Sequence, residues 1–313
     1  MRKLSIALAC LSHTIVDGSQ NILPVVFPLL VDRLHLSYGQ VGMAAALLNV
    51  SSSVIQPGFG WISDRRPTRW FMPVGIAWTG LFLSVVGLVP SYPTFLLVLV
   101  LAGLGTAAFH PIASIAVTHA SGDRRGFGMS FFSTGGNLGF AIGPVMAAWL
   151  MTWLGLPGTL LVILPSLLMA AAMYLWRGEF ASPTPADARR EHQARGPIPW
   201  GRLSRLCAII TLRSWAYSGL VVFIPLLLHE RGVSLSLAGR ALFVFLFFGA
   251  LGGMLGGYLS DRIGRQQVIV ASLVGFPLFM AVAMLFSGPL SWSFLAIAGI
   301  SLLASFSVTV VFA

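Results

Sequence analysis

His13, Asp17, Gln20 and Asn21 fall at offsets 0, 4, 7 and 8 of an otherwise apolar run. That spacing is one face of a helix. A charge at the centre of a bilayer costs roughly 2.5–3.5 kcal/mol on insertion scales, so such residues face a cavity or one another. A polar stripe on an apolar helix therefore lines water or substrate, or else pins helices together. A histidine titrates near about pH 6.5 when unperturbed, which suits a physiological proton gradient. His110 lies deep in another apolar run, directly before Pro111. The proline removes a backbone donor and frees carbonyls with which the histidine could bond instead. Arg213 sits inside a third run, and could pair with Asp17 or hold an anionic substrate. Asn49, Ser53 and Gln56 share one helical face, and Ser130, Ser133, Thr134 and Asn137 share another. These can hydrogen-bond a substrate or pack between helices.

The elements that must hold these residues are membrane helices. The chain of 313 residues is 57% hydrophobic and 9% charged, against about 25% charged in a soluble domain. Spans of about 20 apolar residues, punctuated by Gly, Pro and charge clusters, are expected at 4–31, 38–62, 70–89, 94–119, 126–153, 157–176, 203–228, 235–260, 268–286 and from 291 onward. Residues 1–176 make a six-helix half. Residues 177–202, with Pro183, Pro185, Pro197 and Pro199, read as a cytoplasmic linker. Residues 203–313 hold three full spans and part of a fourth, from which we expect a chain truncated at its C-terminus. Cys10 and Cys207 lie inside apolar runs and read as small core residues. His13 and Asp17 interrupt the first run, so an uncleaved first span is expected rather than a signal peptide.

The formal charge of +10 could suggest a nucleic-acid partner, but its distribution argues against one. Of the nineteen Lys and Arg, fifteen fall in alternate segments, three in the opposite set, and Arg213 inside a span. This asymmetry places the N-terminus and the linker in the cytoplasm.

One stretch recurs. Gly60-Trp61-Ile62-Ser63-Asp64-Arg65, continuing to Arg69, is matched by Gly257-Tyr258-Leu259-Ser260-Asp261-Arg262, continuing to Arg265. The two aspartates are 197 residues apart. Each copy follows the second span of its half, the mark of an internal duplication. The glycine is expected to allow close helix approach and the aspartate to end its helix at the interface. Subtracting the same spacing from Arg213 leads to position 16, beside Asp17.

This hairpin resembles motif A of the major facilitator superfamily. Gly264 and Arg265 extend the match in the second copy, whereas Pro67 stands at the glycine position in the first. Gly135, Gly139 and Gly143 recur every four residues before Pro144, and Gly139-x-x-x-Gly143-Pro144 resembles the antiporter motif of the exporting branches. The run Gly103-Leu104-Gly105-Thr106-Ala107-Ala108-Phe109-His110-Pro111, with Gly135-Gly136-Asn137 and His13-x-x-x-Asp17, resembles the fosmidomycin-resistance branch. Leu99 replaces the arginine of the wider export pattern.

The resemblance implies an all-α polytopic membrane protein with the major facilitator fold, two pseudo-symmetric six-helix halves of which the second is incomplete. It implies drug:proton antiport across the inner membrane by a monomer without cofactor or metal. Asp17, His13 and His110 would couple protons. Arg213, Gln20, Asn21, Asn49, Gln56 and Asn137 would bind substrate. Gly60, Asp64, Arg65, Arg69, Gly257, Asp261, Arg262, Arg265, Gly139, Gly143 and Pro144 would serve gating. Proton-coupled uptake of a small organic anion on Arg213 is the alternative. A metalloenzyme using His13, Asp17 and His110 is less favoured, because an enzyme does not require the duplicated hairpin; a scaffold that transports nothing is a further, less favoured alternative.

Overall fold

A computed structural model describes residues 2–63, 65, 70–180, 200–286 and 288–311. The chain divides into two compact units, Met1–Gly196 and Pro197–Ala313. Seven helical runs among the described residues are long and apolar enough to cross a membrane.

In the first unit the expected opening span is two helices, α1 (Lys3–Gln20) and α2 (Leu23–Leu34). Pro24 has no N–H to give the Gln20 carbonyl, so the ladder breaks there. The break falls directly after the polar stripe. The Asn21 backbone N–H and its side-chain Nδ2 both donate to the Asp17 carbonyl, at 3.0 and 3.1 Å, and close the end of α1. The second span is likewise divided, into α3 (Tyr38–Ser53) and α4 (Gln56–Ser63). Pro57 cannot donate to the Ser53 carbonyl. A capping box between Ser37 and Gln40 starts α3.

Helix α5 (Phe71–Ser84) is followed by α6 (Tyr92–Ser121), α7 (Arg125–Leu154), a 3-10 segment Leu156–Val162 and α8 (Ile163–Leu175). Both α6 and α7 run unbroken through an internal proline, Pro111 and Pro144. The core beneath α1 is apolar: Val16, Phe109, Ile112, Phe132, Met169 and Met173 are buried together.

The α1–α7 seam explains the glycine row. A Cβ at Gly135, Gly139 or Gly143 would collide with the carbonyls of Cys10, Thr14 and Gly18 respectively. Both sets step by four residues, so the two helices lie backbone to backbone over three successive contacts. Thr14 Oγ1 donates to the Gly135 carbonyl at 2.8 Å and the Cys10 thiol donates to the Phe131 carbonyl at 3.3 Å, fixing the register.

The second unit contains α9 (Trp200–Glu230), α10 (Leu235–Ile263), α11 (Arg265–Leu285) and α12 (Pro289–Val311). Helix α9 begins within the stretch expected to be linker. Gly264, at φ +98°, turns α10 into α11, a conformation L side chains rarely adopt. On α10, Gly249, Gly252 and Gly256 press against α12, meeting Leu303, Ile300 and Ala304. A step of three followed by four keeps the row facing one partner, because 3.6 residues make a turn.

Candidate functional site

Helix α1 presents His13 and Asp17 on successive turns, and α6 brings His110 to the same point. His13 Nε2 lies 3.1 Å from Asp17 Oδ2, and His110 Nε2 lies 3.3 Å from Asp17 Oδ1. The Asp17 side chain is only 4% exposed, with each oxygen taken by a different histidine. The imidazole rings of His13 and His110 meet edge to face, 5.0 Å between centroids. The expectation that His110 would bond to carbonyls freed by Pro111 is replaced by this contact, which gives a buried carboxylate a second donor.

The other nitrogen of His13 is also engaged. Nδ1 lies 2.8 Å from the carbonyl oxygen of Phe132 on α7. A carbonyl can only accept, and an ionised carboxylate can only accept. A neutral imidazole has a single N–H, so it cannot satisfy both oxygens. The hydrogen-bond geometry is complete when His13 is an imidazolium beside the Asp17 carboxylate, or when Asp17 is protonated and donates to Nε2. Either way the pair holds one proton more than a neutral histidine with a free carboxylate.

Two residues that sequence reasoning left outside the site help to shape it. The Phe132 ring stacks on His13, 4.1 Å between centroids and 23° between planes. A Cβ at Gly136 would lie 2.6–2.8 Å from His13 and Asp17 side-chain atoms. Their spacing of four residues puts both on the α7 face that meets α1, which is the signal that could have found them.

The rest of the stripe is tied into the protein. Gln20 Nε2 donates to Thr106 Oγ1 at 2.7 Å, and Thr106 Oγ1 lies 3.2 Å from Thr79 Oγ1. The Asn21 amide is held by the Asp17 carbonyl, and Gln56 Nε2 donates to the Ser52 carbonyl at 2.7 Å, bridging the α3–α4 break. Asn49 is exposed on α3, and Asn137 is half-buried on α7. Arg213 lies on α9, in the second unit.

Of the repeated hairpin, Asp64 and Arg69 lie outside the described residues. Arg65 stacks over Trp61 at 3.9 Å, and Arg262 stacks over Tyr258 at 4.5 Å, so both copies build an aromatic–guanidinium pair one turn apart. Asp261, Arg262 and Arg265 are exposed. Gly60 departs from the expected close approach: a Cβ there would have its nearest neighbour, Pro111, at 4.0 Å.

His13, Asp17 and His110 are the one group of three metal-ligating side chains found among the described residues, their donor atoms within 4.8 Å of one another. Membrane-length helices, one of them broken at a proline beside a buried ionisable cluster, make the architecture of a multi-pass membrane protein. The chain belongs to the Major Facilitator Superfamily, whose sequence pattern matches residues 9–313. It is 36% identical over 317 residues to the uncharacterized MFS-type transporter YfnC of Bacillus subtilis, covering 96% of this chain and 76% of that protein. It is 30% identical over 313 residues to the fosmidomycin resistance protein of Escherichia coli, covering 97% and 76%. A bacterial homologue of the human lysosomal transporter Spinster, in an inward-facing and occupied conformation, superposes with a TM-score of 0.78 at 20% identity, covering 98% of this chain and 73% of that one. The members compared are transporters, which answers the metalloenzyme alternative.

Proposed function

We propose that the chain exports small organic compounds in exchange for protons, with Asp17, His13 and His110 as the proton-carrying group. The observation that carries this reading is His13, flanked by an acceptor on each ring nitrogen. Such a pair is a proton store: loading satisfies every hydrogen bond, and unloading leaves a lone pair facing an oxygen. A buried store of this kind in a transport protein is a coupling site by default. Similarity to the fosmidomycin resistance protein supports the direction of transport and a small antibacterial substrate class.

In the cycle, the Asp17 cluster takes a proton from the outside-open state, and substrate leaves in exchange as the halves rock. Arg213 anchors an anionic part of the substrate, with Gln20, Asn21, Asn49, Gln56 and Asn137 as further polar contacts. Gly139, Gly143 and Pro144 set how α7 moves on α1. The two copies of the hairpin, through Gly60, Asp64, Arg65 and Arg69 and through Gly257, Asp261, Arg262 and Arg265, latch the cytoplasmic side. The protein works as a monomer in the inner membrane, with its N-terminus in the cytoplasm.

Everted vesicles carrying the chain test this. Adding fosmidomycin and a panel of small phosphonates to vesicles with an imposed pH gradient should release protons in the wild type and not in Asp17→Asn. Proton release that persists undiminished in Asp17→Asn would remove the assignment.

A further inference from the structure

The position of His13 is set by α7 as much as by Asp17. Phe132 supplies both a carbonyl to Nδ1 and a ring against the imidazole face. One turn on, Gly136 leaves the space in which the imidazole meets the carboxylate. A Cβ there would stand 2.6 Å from His13 Cε1, 2.7 Å from His13 Nε2 and 2.8 Å from Asp17 Oδ2. No side chain fits without moving the pair. The bonds of Cys10 and Thr14 to α7 carbonyls flank this point and hold the register that aims the Phe132 oxygen at Nδ1.

We propose that the Phe132 carbonyl and Gly136 are positioning residues that keep the proton on His13, so that the proton affinity of α1 is a property of its seam with α7. The argument is one of tautomers. If His13 loses the Nε2 proton, the lone pair exposed there faces the Asp17 carboxylate. If it loses the Nδ1 proton, the lone pair faces the Phe132 carbonyl. With Asp17 ionised, both neutral forms set an acceptor against an acceptor, and the imidazolium alone satisfies both. Moving α7 so that the carbonyl leaves Nδ1 removes half of that preference, and the proton can pass to water. The packing of α7 on α1 and the release of the proton are then one event.

Among the described residues of the first unit, the titratable groups beside His13 are Asp17 on α1 and His110 on α6. Helix α7 presents no charged residue beyond Arg125 at its start, and α5 and α8, which also pack on α1, contain no Asp, Glu, His, Lys or Arg. The inference rests on the export reading only for its meaning in transport, since the protonation of His13 can be measured with no substrate present.

The experiment is 15N-histidine NMR of the purified chain in lipid nanodiscs, titrated with pH, with His13 assigned by its loss in His13→Asn. Gly136→Ala should lower the midpoint of His13 by about one pH unit, the effect of losing one charged hydrogen bond. Gly249→Ala is the packing control. Its Cβ would press on the Leu303 side chain between α10 and α12, within the second unit, and it should leave the midpoint in place. In the wild type, a 13C label at the Phe132 carbonyl should shift with the same midpoint as His13, a reading that needs no variant to fold. A Gly136→Ala midpoint equal to the wild type, an equal shift in Gly249→Ala, or a Phe132 carbonyl indifferent to the titration would each overturn the proposal. Failure of the export reading would show separately, as drug-driven proton release that survives Asp17→Asn.

Discussion

His110 on α6 reaches Asp17 on α1 with Nε2 3.3 Å from Oδ1, joining residues 93 apart in sequence at a carboxylate otherwise closed to solvent. Asp17 has its second oxygen on His13, and His13 has its second nitrogen on Phe132. Three helices thus meet through one short chain of hydrogen bonds, and each link can be tested.

Asp17→Asn keeps the shape of the side chain and removes its charge. Export should fall by about 100-fold, the scale on which a positioned proton-transfer group contributes. Protein yield and detergent stability should stay close to wild type, because the amide still offers one acceptor. Vesicle flux and thermal unfolding, measured on the same preparation, check both halves of this expectation.

His110→Ala should weaken coupling less than His13→Ala. His110 supplies one donor to Asp17, whereas His13 is held from both sides. Proton release per drug molecule, compared between the two variants in everted vesicles, measures the difference. Equal losses would mean that the two histidines share the proton equally.

Gly139→Ala introduces a methyl group against the Thr14 carbonyl and the Gly18 N–H, where neither backbone can withdraw cheaply. Overpacking of this kind costs about 1–3 kcal/mol. The melting temperature in detergent should fall accordingly, while Leu138→Ala, at an exposed neighbouring position, should change it little.

Gly264→Ala tests the turn between α10 and α11. At φ +98° and ψ 147° an alanine is strained, and holding an L residue in this region, which only glycine adopts readily, costs about 1–3 kcal/mol. The second unit should lose stability by about that amount, read as faster proteolysis near residue 264.

Much of the site was legible in the sequence because intramembrane polarity is scarce. His13 and Asp17 declare one helical face by a spacing of four, and His110 stands out in an apolar run. The membrane helices and the duplicated hairpin follow from composition and from matched residues 197 apart. The proline breaks after Gln20 and Ser53 were not anticipated. The residues involved were visible, but an internal proline interrupts one helix and is absorbed by another, as α6 and α7 absorb Pro111 and Pro144.

Two things were decided only in three dimensions. A sequence does not say which helices lie side by side, so it could not say that Gly135, Gly139 and Gly143 press on the carbonyls of Cys10, Thr14 and Gly18. Nor could it reveal that a backbone oxygen, identical in every residue type, completes the hydrogen bonds of His13. Side-chain chemistry is written in the sequence. The placement of a carbonyl is not, because it depends on the register of two packed helices, and at Phe132 that register supplies His13 with its second acceptor.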